Sequence, residues 1–196
     1  MIIGLTGGFL TGKTTVAKFL KKKGIEVLEI DRLYETLLQE NRLKKNLIKI
    51  FGKDILFRDK ISKKKLRGKL LLRPYLLKEL ERVTHPFIIR ELRRIIKSYR
   101  RKGKLLVIEV PLLYEKGLED LFDRVILISS SKKEQLKRAK KLGYTKKEVE
   151  IFINNQLPLR VKEEKADWVI RNKGTLKELK DKSNLLREEL IKISTP

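Results

Sequence analysis

Residues 7–14 read Gly7-Gly8-Phe9-Leu10-Thr11-Gly12-Lys13-Thr14 and fill every fixed position of the pattern G-x-x-x-x-G-K-[ST]. Glycines at its fixed positions let the backbone wrap an anion, while N–H groups of the loop and of a following helix N-terminus point at it. The chemistry such a loop supports is phosphate binding. Lys13 would bridge the β- and γ-phosphates of a nucleoside triphosphate, and Thr14 would ligate Mg²⁺. Gly7, Gly8, Leu10, Thr11, Gly12 and Thr15 complete the set of nucleotide-contacting candidates. The context agrees: the apolar run Ile2–Thr6 precedes the loop, and Thr14-Thr15-Val16-Ala17-Lys18-Phe19-Leu20 opens a helix after it.

Two further acidic positions could join this chemistry. The run Val27-Leu28-Glu29-Ile30-Asp31 places carboxylates at the C-terminal end of a strand, where ligands bind in parallel sheets. Either Asp31 or Glu29 could take the proton of an attacking hydroxyl, and spacing alone does not choose between them. Asp31 could instead cap a helix that begins at Arg32. Glu109, after Leu106-Val107-Ile108, fits an acid that supports Mg²⁺ directly or through water, and it fits a solvated strand end equally well. The lone His85 precedes Pro86, which disfavours helical geometry at the residue before it, so the pair predicts a helix break.

The elements that must position these residues alternate between short apolar runs and longer helical patterns, the signature of a parallel α/β sheet. Predicted strands are Ile2–Thr6, Glu26–Glu29, Leu105–Glu109, Arg124–Ile128 and Trp168–Ile170. Predicted helices are Lys13–Lys22, Arg32–Gln39, Pro74–Val83, Pro86–Arg101, Lys132–Lys141, Lys146–Asn155 and Leu176–Ile193. Residues 41–83 carry helix signals but no strand of the main sheet, and read as a helical insertion.

Composition bounds the function. A chain of 196 residues with 41% hydrophobic residues suits one domain with an inserted lobe. With 49 Lys and Arg against 25 Asp and Glu, the net charge is +24, a surface that attracts phosphates, nucleic acid or anionic membrane. No Cys and one His exclude disulfide scaffolds, Cys-ligated metals and multi-histidine sites. No apolar run approaches the roughly 18–20 residues of a membrane span, and the start lacks the basic leader of a signal peptide. A soluble, cytoplasmic protein without a membrane partner is expected. The basic clusters read as solvated helix faces, and the few aromatics are not interleaved with them, which argues against an obligatory nucleic-acid partner.

In order along nearly the whole chain, the sequence resembles the dephospho-coenzyme A kinases. The resemblance rests on Ile3-Gly4-Leu5-Thr6-Gly7-Gly8 and the loop, Asp31, His85-Pro86, and Pro111-Leu112-Leu113 with Glu115. It continues through Gln135-Leu136-Lys137-Arg138, Gln156-Leu157-Pro158, Lys162 and Ala166-Asp167-Trp168-Val169-Ile170-Arg171-Asn172-Lys173-Gly174. It implies a P-loop NTPase fold: a five-stranded parallel sheet flanked by helices, with a helical acceptor-binding insertion and a helical lid. The nucleotide core would be residues 1–40 and 103–196, the insertion about 41–102 and the lid about 132–160. The implied reaction is ATP-dependent phosphorylation of the ribose 3′-hydroxyl of dephospho-CoA, the last step of coenzyme A synthesis, with Mg²⁺ as cofactor. The resemblance makes Asp31 the base over Glu29, and Arg138 a lid arginine on the transferring phosphate. Asn172 falls near the adenine of ATP, and Lys63 and His85 on the acceptor side. A monomer or weak oligomer is expected.

The chain departs from that pattern at several positions. Leu10 stands where the loop usually has a third glycine, Glu109 replaces an Asp, and Lys63 replaces an Arg. Lys141-Leu142-Gly143 makes the lid one residue shorter, and Phe152 takes the place of a lid arginine, leaving Arg138 as the clearest phosphate contact. The competing readings are another small-molecule or nucleotide kinase and, from the charge, an NTP-dependent nucleic-acid-binding protein.

Overall fold

The computed structural model describes residues 1–73 and 75–194, and the chain divides into two compact units, Met1–Glu29 with Ser98–Pro196, and Ile30–Lys97. In the first unit, β1 (Ile2–Gly7), α1 (Lys13–Lys22) and β2 (Val27–Glu29) open the chain. The second unit follows with α2 (Ile30–Leu37), α3 (Asn41–Phe51), β3 (Leu56–Phe57), β4 (Lys60–Ile61), α4 (Lys63–Leu72) and α5 (Leu76–Arg101), the last belonging to it through Lys97. The first unit resumes with β5 (Leu106–Glu109), β6 (Arg124–Ser129), α6 (Lys132–Lys141) and α7 (Lys146–Asn154). It ends with α8 (Leu159–Lys165), β7 (Trp168–Arg171) and α9 (Leu176–Ser194).

The first unit is built on a five-stranded sheet in the order β2-β5-β1-β6-β7, parallel at every pairing. Every residue of the central strand β1 is buried, as its unbroken apolar run requires when both faces are covered. Ile3 and Leu5 pack with Val16 and Leu20 of α1 and with Leu179, Leu186 and Leu190 of α9, which recur at helical spacing. Register sets Glu109 of β5 opposite Leu5 of β1 and opposite Glu29 of β2. The C-terminal ends of β2 and β5 are thus level, and β1 runs two residues further to Gly7, where the glycine loop leaves the same edge.

The second unit has its own core. Leu43, Leu47 and Phe51 form one face of α3 and pack with Leu37, Leu38, Ile55, Ile61, Leu66, Leu80 and Phe87. The β3–β4 hairpin turns through Arg58 and Asp59 at φ 46° and 59°, the left-handed pair that a two-residue hairpin loop demands.

Two local expectations are corrected. The predicted break at His85-Pro86 is absent: α5 runs through Pro86 as one helix. Pro86 removes one backbone donor at a cost of about 3 kcal/mol. Leu80, Thr84, Phe87, Leu92 and Ile96 are nonetheless buried at helical spacing on both sides of it. Each large apolar side chain so buried contributes about 1.5–3 kcal/mol, so the continuous stripe outweighs the break. The helix predicted from Arg32 begins at Ile30, which puts Asp31 inside the first turn and not at the cap. The predicted helix start at Pro74 lies outside the described residues. The remaining predicted strands and helices fall within two residues of their bounds; α3 and α4 lie in the stretch read only as carrying helix signals, and the hairpin and α8 have no counterpart in the sequence reading. Among the described residues, no helix is long and apolar enough to cross a membrane.

Candidate active site

The loop between β1 and α1 is held by contacts that dictate its glycines. A Cβ on Gly7 would lie 2.5 Å from the Ile128 carbonyl oxygen and 2.7 Å from Thr11 Oγ1, so no larger residue fits. Gly12 sits at φ 102°, and a Cβ there would approach Asn172 Nδ2 to 2.6 Å. Between them, Thr11 is fully buried and its hydroxyl donates to the Gly8 carbonyl at 3.1 Å. Leu10, in place of a glycine, is held at φ 53°, a left-handed conformation that costs a non-glycine residue about 1–2 kcal/mol. No side chain caps α1; its N-terminus is the loop itself, the arrangement that seats an anion. A cavity of about 540 Å³ opens over the loop, with Pro111, Arg138, Lys141 and Gln156 on its other walls.

Thr14 and Lys13 converge on the end of β5. The Thr14 hydroxyl donates to Glu109 Oε1 at 2.8 Å, and Lys13 Nζ lies 3.8 Å from the same oxygen. Glu109 is only 6% exposed, so the expectation of a solvated strand end gives way to a buried carboxylate facing the loop.

Arg138 projects from α6 to the loop's other side. Its Nη1 donates to the Leu10 carbonyl at 2.9 Å and to Ser130 Oγ at 3.1 Å, and its Nη2 donates to the Asn172 carbonyl at 3.3 Å. Burial lowers its pKa from the usual arginine value while Glu134 raises it, and a guanidinium stays protonated throughout. Asn172, just past β7, is buried and ties three elements together: its N–H donates to the Ser129 carbonyl and its Nδ2 to the Thr11 carbonyl, both at 2.8 Å. Ser130 Oγ donates to the Asn172 carbonyl at 3.0 Å. The Asn172 side chain therefore fixes the loop backbone.

Lys13, Thr14, Glu109, Arg138 and Asn172 are thus gathered at one edge of the sheet. Asp31, Lys63 and His85 lie in the second unit. Asp31 is exposed in the first turn of α2, two residues after β2 ends, and His85 is partly buried within α5. Lys63 opens α4; its Nζ pairs with Glu35 Oε1 at 2.6 Å and lies 5.9 Å from the centroid of the Tyr34 ring. That pairing lowers the Glu35 carboxyl below its usual range.

Sequence reasoning missed two contributors. Gln156 Oε1 accepts the Phe9 N–H at 2.9 Å, so the motif Gln156-Leu157-Pro158 reaches the phosphate loop directly. Ser130, bonded to both Arg138 and Asn172, follows β6 with no distinguishing pattern. Glu115 and Lys162, quoted only for their resemblance, form a buried ion pair at 2.5 Å whose Glu115 Oε1 also accepts the Leu157 N–H at 3.0 Å.

A family model described as dephospho-CoA kinase matches residues 1–178. A dephospho-CoA kinase of Lactobacillus johnsonii is 39% identical over 95% of this chain and 96% of its own length. A crystal structure from Thermus thermophilus covers 97% of both chains at 31% identity with a TM-score of 0.77. The structure of a dephospho-CoA kinase from Campylobacter jejuni covers 96% of both at 24% identity and a TM-score of 0.76, a likeness of fold.

Proposed function

The chain belongs to the dephospho-CoA kinase family, and we propose that its phosphate loop, Glu109 and Arg138 form the phosphoryl-transfer site of that activity. The reaction is transfer of the ATP γ-phosphoryl group to the ribose 3′-hydroxyl of dephospho-CoA, giving coenzyme A in the last step of its synthesis. The observation that carries this reading is the Thr14–Glu109 contact beside Lys13, at the edge of the parallel sheet where the loop leaves β1.

Loop N–H groups and Lys13 hold the β- and γ-phosphates, and Arg138 offers a planar fork to the transferring group. Asn172 keeps Thr11 and Arg138 in place beside the nucleotide. Thr14 and Glu109 fit Mg²⁺, because a hydroxyl and a buried carboxylate oxygen at 2.8 Å are the hard oxygen donors that ion takes, directly or through water. Bound there, Mg²⁺ would neutralise charge on the phosphates. Asp31 takes the proton of the attacking 3′-hydroxyl, an assignment supported by its place just after β2 and by the family resemblance. Lys63 and His85 belong to the acceptor side, within the insertion at about 41–102. The segment at about 132–160 is the lid, which excludes water and limits wasteful hydrolysis. The setting is the cytoplasm, with the protein a monomer or weak oligomer and its net +24 charge serving anionic substrates.

A coupled ATP assay with dephospho-CoA, adenosine and pantothenate side by side tests the reading. Turnover should be confined to dephospho-CoA. Faster turnover with adenosine or pantothenate would place the chain with another small-molecule kinase.

A further inference from the structure

The second variable position of the phosphate loop, Phe9, is held from two directions by residues beyond α6. Its ring stacks on Phe152 of α7 with centroids 4.6 Å apart and planes 18° apart. Tyr144 stands edge-on to both rings, 5.5 Å from Phe9 and 5.9 Å from Phe152. Stacked and edge-on pairs at these distances are the favourable arrangements of aromatic quadrupoles. On the main-chain side, the Phe9 N–H donates to Gln156 Oε1 at 2.9 Å.

The backbone that carries the two rings is fixed by a helix cap, while the rings themselves are partly exposed. Thr145 caps α7 with Glu148 in a reciprocal box, Thr145 N–H and Oγ1 each donating to Glu148 Oε2 at 2.8 Å. Tyr144 is the residue before that cap, and Phe152 lies two turns into the helix. Arg138 meanwhile donates to the carbonyl of Leu10, the residue next to Phe9. Consecutive loop residues thus carry the aromatic stack and the arginine contact. Phe152 occupies a position that the resemblance fills with an arginine, and a phenyl ring brings no charge to a phosphate.

We propose that Phe9, Tyr144 and Phe152 latch the lid onto the phosphate loop, with Phe152 a positioning residue that holds Arg138 in place and keeps water from the γ-phosphoryl group. This rests on the reading of 132–160 as a lid over ATP. Loosening the latch admits the leak reaction: water oxygen bonds to the γ-phosphorus, the bond to ADP breaks, and the water proton passes to solvent.

The test compares ADP released without acceptor with phosphoryl transfer to dephospho-CoA, in the wild type and in Phe152→Ala, Phe9→Ala, the double variant and Phe152→Tyr. Wild-type transfer in the same assay reports on the functional reading by itself. Melting curves of every variant separate a loosened lid from a misfolded chain. The latch predicts a hydrolysis-to-transfer ratio raised about tenfold by either alanine, since losing one stacking partner removes the contact. The double variant should be no leakier than the singles, and Phe152→Tyr should restore the wild-type ratio. An unchanged ratio in folded Phe152→Ala overturns the proposal. So does a double variant whose leak is the product of the two singles, or a Tyr variant as leaky as Ala.

Discussion

The guanidinium of Arg138 donates to the main-chain carbonyl of Leu10 at 2.9 Å, joining two residues 128 positions apart in sequence. The same fork reaches Ser130 Oγ and the Asn172 carbonyl, so three acceptors fix its plane. An ammonium on a flexible stem cannot reproduce that geometry. Arg138→Lys should therefore cost at least about 10²-fold in kcat, because arginines acting on transferring phosphoryl groups are worth about 10³–10⁵ and charge alone recovers only part. Lys141→Ala should be milder, since Lys140 can supply a point charge nearby in sequence. Single-turnover rates at saturating ATP and acceptor compare the two; a more damaging Lys141→Ala would remove Arg138 from its role.

Asp31→Asn should separate chemistry from binding. The amide keeps the size of the side chain but cannot accept the 3′-hydroxyl proton, so kcat should fall about 10²–10⁴-fold while ATP affinity hardly moves. Glu29→Gln is the control, since Glu29 ends the strand two residues earlier. If Glu29→Gln is the dead enzyme and Asp31→Asn the active one, the base is misassigned.

What could be read from the sequence, and what could not, divides along physical lines. The phosphate loop is legible because its glycines stand at fixed spacing, each answering a steric demand at its own position: a 2.5 Å approach to Ile128 of β6 at Gly7 and a φ of 102° at Gly12. The sheet is legible because β1, β5 and β6, buried on both faces, need unbroken apolar runs. Pro86 misleads because a local penalty of about 3 kcal/mol is outweighed by burial on either side of it. The hairpin at Leu56–Ile61 escapes because its strands have two residues each and its turn uses Arg58 and Asp59 without a glycine. Lys162 escapes because lysines are normally solvated, whereas this one is 0% exposed. The Arg138 contacts depend on long-range packing that no spacing reveals.

That buried lysine has its own consequence. Lys162 pairs with Glu115 at 2.5 Å, and removing one member leaves the other charge buried without compensation. Lys162→Met should destabilise the fold by about 3–5 kcal/mol, whereas Glu115→Gln with Lys162→Met should recover most of the loss. Urea denaturation midpoints decide it. A double variant no more stable than the single would show that the pair is not a mutual compensation.

Alkaline stability should depend on two tyrosines. Burial pushes the phenols of Tyr34 and Tyr114 up to about 12, helped at Tyr114 by the carboxylates of Asp167 and Glu119. The folded chain keeps protons that the unfolded chain releases above its ordinary value of 10.0. This contribution is complete below a pH of about 10 and is lost as pH rises toward 12. Replacing both residues with Phe should flatten the decline of melting temperature across that window. An equally steep decline in the double variant would exclude them as its source.

The position of the new phosphate decides whether the protein phosphorylates the ribose 3′-hydroxyl. Wild-type protein is incubated with ATP, Mg²⁺ and dephospho-CoA, and the product is followed by phosphorus NMR, with a 3′-deoxy analogue of dephospho-CoA as the parallel acceptor. One new phosphomonoester is expected, on the ribose 3′-oxygen, and none from the deoxy analogue, which lacks the nucleophile. Phosphate on the pantetheine arm, or phosphorylation of the deoxy analogue, would contradict it.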